Sequence, residues 1–133
     1  MKNIFAFLIL LSGLVMLSTL GCTKNKTMEE VIPDLCDTID VAYNDEIKTL
    51  INLNCSYSGC HDGNLAGIGN FTNYEGLLSR LENGSIKSHA IDLPKEDPDH
   101  MPPYYTPAGN PTDLTTEEAD MLLCWILSGY PED

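Results

Sequence analysis

The chain has 133 residues, with 20 acidic side chains against 7 Lys and Arg and a formal charge of −13. That length amounts to about one domain once a leader is set aside, and so acidic a surface repels phosphate backbones, which excludes nucleic-acid binding. A solvated surface is the plain meaning of the charge, and a basic protein partner is the functional one.

Residues 1–21 carry a lysine near the start, an apolar run from Ile4 to Leu17 and small residues before Cys22. This is the layout of a secretory signal, so the protein is expected to be exported. The segment "LSTLGC" resembles a bacterial lipoprotein box, although Thr19 stands where leucine is usual. The resemblance implies cleavage before Cys22 and a lipid on its sulfur. The alternative is an uncleaved membrane anchor, but Ser12, Gly13, Ser18 and Thr19 interrupt a run already short for a spanning helix. Either way the domain is tethered to a membrane, facing the periplasm or the cell surface.

Residues 22–35 are polar and read as a tether, with the folded domain at 36–133. In residues 44–54, Ile47, Leu50 and Ile51 fall at helical spacing behind Asn44, a candidate cap, so a short helix is expected to run into Cys55. The glycine-rich residues 63–72 read as loop. A second helix is expected where Tyr74, Leu77, Leu78 and Leu81 share a face, with Gly84 as its stop. Residues 92–113 hold six prolines and are expected to form a long loop. The last helix carries a capping box, Thr115 with Glu118, and the apolar residues Leu114, Met121, Leu122, Trp125 and Ile126, before Gly129 ends it. No β-alternation and no internal repeat appear, so the fold is expected to be all-α, with three to four short helices and long loops. Its few large apolar side chains call for a bound cofactor as part of the core.

The chemistry concentrates in "NCSYSGCHDG", residues 54–63. Two cysteines followed directly by histidine approach the c-type haem signature C-x-x-C-H, here with four intervening residues. Cysteine sulfurs hold such a haem by thioether bonds while the adjacent imidazole reaches the iron. Cys60 and His61 supply that half unchanged. Cys55 needs the intervening "SYSG" to bulge, for which Gly59 offers a permissive backbone. A disulfide of Cys55 or Cys60, with His61 at the surface, is one alternative. A zinc site is another, although no second close Cys or His pair accompanies it. Forty residues after His61, "DPDHMPPYY" sets Met101 before two prolines. A thioether is a soft, neutral iron ligand that raises the reduction potential. Prolines hold such a loop extended.

Together, export, the Cys-x(4)-Cys-His segment after a short helix, the later "MPP" and the final "CWILSG" resemble the small monohaem cytochrome c-like domains of bacterial lipoproteins. The resemblance runs from about Cys36 to Tyr130. It implies a cytochrome c-like arrangement around one covalent haem c, with Cys55 and Cys60 as the thioether residues, His61 as the proximal ligand and Met101 as the distal one. It further implies a carrier of single electrons, not an enzyme, with a redox partner protein at the envelope. His100 and His89 are rival distal ligands. They rank behind Met101 because neighbours on an extended chain point to opposite sides and Met-Pro is the family's order. With these roles taken, Cys36 and Cys124 are expected to form a disulfide, the alternative being a buried free thiol at Cys124. The rival functions are a haem-free, disulfide-stapled binding module and a haem-based sensor or enzyme with a displaceable distal ligand.

Overall fold

The computed structural model describes residues 32–64 and 69–133. The expected signal segment, the expected lipidation site at Cys22 and most of the expected tether lie outside the described residues. Four α-helices and no strand occur among those described: α1 (Lys48–Asn54), α2 (Tyr74–Glu82), α3 (Ser85–Lys87) and α4 (Thr116–Leu127). A 3₁₀ turn at Asp34–Thr38 precedes them, a π turn at Tyr43–Ile47 leads into α1, and a second π turn at Ser88–Asp92 extends α3. The protein is therefore all-α over this region. No helix among the described residues is long and apolar enough to cross a membrane.

α1 forms where the apolar spacing predicts it, and Ile47, Leu50 and Ile51 are buried. Its start differs from expectation. Asn44 is not a cap: it lies inside the π turn, and its side-chain amide donates to the Asp133 carboxylate. The leading N–H groups, which need outside acceptors, are served by the other end of the chain. The N–H groups of Tyr43 and Asn44 donate to the carbonyls of Pro131 and Glu132, each at 3.0 Å.

α2 is capped by Asn73, whose side chain accepts from the Gly76 N–H at 2.8 Å, and it buries Leu77 and Leu81. Gly76 is required by a close approach: a Cβ there would lie 1.8 Å from the carbonyl oxygen of Asn70. Backbone cannot step aside as a flexible side chain can. Gly76→Ala is therefore expected to lower stability by about 1–3 kcal/mol, the usual cost of forced overpacking. The denaturant midpoint reads this directly, and an unchanged midpoint would show that the 70–76 turn yields freely.

α4 has the expected capping box. The Glu118 N–H donates to Thr115 Oγ1 at 3.2 Å, and the Thr115 N–H donates to Glu118 Oε2 at 2.8 Å. The other carboxylate oxygen accepts from the buried Asn54 amide at 2.9 Å, and that amide also donates to the Leu50 carbonyl at 3.0 Å. One side chain thus caps α4 and satisfies the polar end of α1. Burial pushes the Glu118 carboxyl up, but the hydrogen bonds from Thr115 and Asn54 outweigh it and hold the group below its usual range.

Leu122 and Trp125 of α4 pack with Tyr43, Ile47, Ile51 and Leu77 as one core. Each fully buried aliphatic side chain contributes about 1.5–3 kcal/mol. The Trp125 indole N–H donates to the Pro131 carbonyl at 2.8 Å, and the Tyr74 hydroxyl donates to the Tyr130 carbonyl at 2.9 Å. Residues 130–132 are thereby bound to the π turn ahead of α1, to α2 and to α4 at once. Cys124 is disulfide-bonded to Cys36 across a sequence separation of 88, which fastens the 3₁₀ turn to α4.

After Asp92 the chain runs in successive turns up to α4, as six prolines require. In three of these turns a proline carbonyl is the acceptor: Asp97 N–H donates to Pro94, Thr106 N–H to Pro103 and Asn110 N–H to Pro107. Proline can close a turn through its carbonyl even though it has no N–H to give.

Candidate cofactor cleft

The segment after α1 is a closed loop. Cys55 N–H donates to the Ile51 carbonyl at 2.8 Å, ending the helix, while Cys60 N–H reaches Tyr57 and His61 N–H returns to the Cys55 carbonyl, each at 3.0 Å. The return depends on Gly59, which has φ +88°, a conformation that side-chain-bearing residues resist. The expected bulge of "SYSG" is thus a short turn that doubles back.

The loop is held from outside by residue 71. Phe71 N–H donates to the His61 carbonyl and the Ser56 hydroxyl donates to the Phe71 carbonyl, both at 2.8 Å. The Phe71 and His61 rings stack, with centroids 4.0 Å apart and planes 8° from parallel. The imidazole plane is therefore set by an aromatic neighbour that itself belongs to the core.

Cys55 and Cys60 are both free thiols. Burial, with smaller contributions from Cys60 and Glu118, pushes the Cys55 thiol up to about 12, so it keeps its proton at neutral pH. The Tyr57 phenol is also raised, first by burial and then by its hydrogen bond with Cys60, while a hydrogen bond with Thr106 opposes the shift. Through Tyr57 the cysteine loop is linked to the proline-rich loop.

That proline-rich loop supplies the methionine. Met101 N–H donates to the His89 carbonyl at 3.0 Å, joining the loop to the π turn that extends α3. His100 turns the other way: it is only 5% exposed, with Nδ1 3.1 Å from the Leu93 carbonyl and Nε2 3.3 Å from the Asp113 carboxylate. Both ring nitrogens are committed to the two ends of the loop.

Cys55, Cys60, His61 and Met101 all line a single cleft of about 300 Å³, walled by apolar residues that include Ile51, Phe71, Ile86 and Leu122. Its size and lining are those of a small-molecule or cofactor site. His89 lines it and His100 does not. The residues expected to act together are thus neighbours around one apolar space, although forty positions separate His61 from Met101.

Tyr57, Arg80 and Tyr105 also line the cleft, and reading the sequence assigned them no role. For Arg80 a signal was present, since it falls between Leu77 and Leu81 on the inward side of α2. For Tyr105, in an irregular loop, there was none. Among the described residues, no group of three or more His, Cys, Asp or Glu is placed to hold a metal ion. Comparison of the chain with family models, with curated proteins and with solved structures finds no match.

Proposed function

We propose that the chain is an exported, lipid-anchored c-type cytochrome domain that carries single electrons at the cell envelope, with a cytochrome c-like arrangement around one haem c. The observation that carries this reading is the meeting of Cys55, Cys60, His61 and Met101 on one apolar cleft. The donor set suits the group: two unpaired thiols, an imidazole directly after the second, and a neutral thioether from a separate segment. Cys55 and Cys60 would hold the porphyrin by thioether bonds, His61 would be the proximal ligand and Met101 the distal one. When bound, the haem supplies a one-electron couple between ferrous and ferric iron.

The chain's own residues set the conditions for that couple. Phe71, stacked on His61, fixes the plane of the proximal imidazole. Ile51, Ile86 and Leu122 keep water from the site, and low polarity together with ligand identity tunes the potential. With His61 and Met101 on the iron, no position is left for a substrate, which favours a carrier over an enzyme. The charge of −13 suits a basic redox partner, and Cys22 provides the lipid tether.

The test is expression of the full chain together with a haem-attachment machinery. The mature protein is expected to be coloured and to keep its haem through acid–acetone extraction, which removes haem held by ligation alone. A colourless protein, or one bleached by extraction, would overturn the covalent reading.

A further inference from the structure

His89 is the one other nitrogen donor of the three histidines that lines the cleft with Met101. The two residues are hydrogen-bonded neighbours, through the 3.0 Å contact from Met101 N–H to the His89 carbonyl. The His89 ring is also oriented, since its Nδ1 lies 2.8 Å from the Asp99 carbonyl. A carbonyl oxygen can only accept, so Nδ1 carries the hydrogen and the neutral ring has its lone pair on Nε2. An imidazole whose outer N–H is anchored on a backbone carbonyl is the form in which histidine ligates metals.

We propose that His89 is a reserve distal ligand: when the Met101 thioether is absent from the iron, His89 Nε2 takes its place. This rests on the haem reading given above. The distal side of the cleft then has two alternative donors, one sulfur and one nitrogen, adjacent through a single backbone hydrogen bond. Exchange between them breaks one iron–sulfur bond, forms one iron–nitrogen bond and moves no electron. It changes the donor from a soft thioether to an imidazole, which lowers the reduction potential. The site therefore has two ligation states with different potentials, and it is closed to small external ligands in both. His100 has no part in this, because its ring is buried away from the cleft against Leu93 and Asp113.

The experiment uses the haem-loaded full chain and carbon monoxide as the probe. Met101→Ala is expected to keep its covalent haem, to remain low-spin and six-coordinate without a sulfur–iron band, and to bind no carbon monoxide after dithionite reduction at neutral pH. Met101→Ala combined with His89→Ala is expected to turn high-spin and to bind carbon monoxide. Added imidazole then restores the low-spin spectrum, which shows that the cleft of the double variant is intact. Carbon monoxide binding by Met101→Ala alone, or a double variant that stays low-spin without added imidazole, overturns the assignment of His89. Absence of covalent haem from the unaltered chain overturns the haem reading itself, and this inference with it, so the two failures are distinguishable.

Discussion

Replacing both Cys36 and Cys124 by alanine is expected to lower the unfolding free energy by about 4–5 kcal/mol, the chain-entropy estimate for a loop of this length. The bond closes a sequence separation of 88, so the cross-linked unfolded chain is far more confined than the open one. Against a total of about 5–15 kcal/mol for a typical domain, that loss leaves a marginal fold. Alanine suits Cys124, which is buried in α4, because serine would add an unpaired hydroxyl there. Denaturant titration checks the prediction in two ways. The midpoint should fall, and the slope should steepen because the open chain exposes more surface on unfolding. An unchanged midpoint would mean that the reduced, unfolded chain stays compact without the bond.

Met101→Ala is expected to abolish the sulfur–iron charge-transfer band of the ferric haem-loaded protein and to lower its reduction potential. Alanine offers no donor, and the thioether it removes is the ligand that favours the ferrous state. Spectroelectrochemistry reads both changes in one titration. If the unaltered protein lacked that band and the substitution left its potential unchanged, Met101 would not be on the iron. His89 would then be the distal candidate to examine, since it borders the cleft, whereas His100 does not. Met101 is partly buried in a loop of turns and stands outside the helical core, so the substitution is expected to leave the helices intact.

Much of the fold was legible from short-range pattern. The capping box of Thr115 and Glu118, the buried positions of α1 and α2, and the absence of helix between Asp92 and α4 all follow from interactions within a few residues or from proline's missing N–H. The candidate residues Cys55, Cys60, His61 and Met101 were legible because their chemistry and spacing are unusual. The start of α1 was misread for a physical reason. Asn44 has the side chain of a cap, but the helical backbone already starts one residue earlier, at Tyr43, where the carbonyls of Pro131 and Glu132 from the far end of the chain accept the N–H groups of Tyr43 and Asn44.

By itself, then, the sequence determined the helices, the proline-rich loop and the set of donors, because those depend on neighbours along the chain. Only the tertiary structure decided how the donors are arranged. It turned Met101 and His89 into the cleft and His100 out of it and stacked Phe71 on His61, while the pairing of Cys36 with Cys124 agrees with the sequence expectation. The contacts that place these side chains join separate segments of the chain, Phe71 with His61, Met101 with His89 and His100 with Leu93 and Asp113, which no local period encodes. Four separate segments, at Cys55–His61, residue 71, His89 and Met101, become one site only when the fold brings them together.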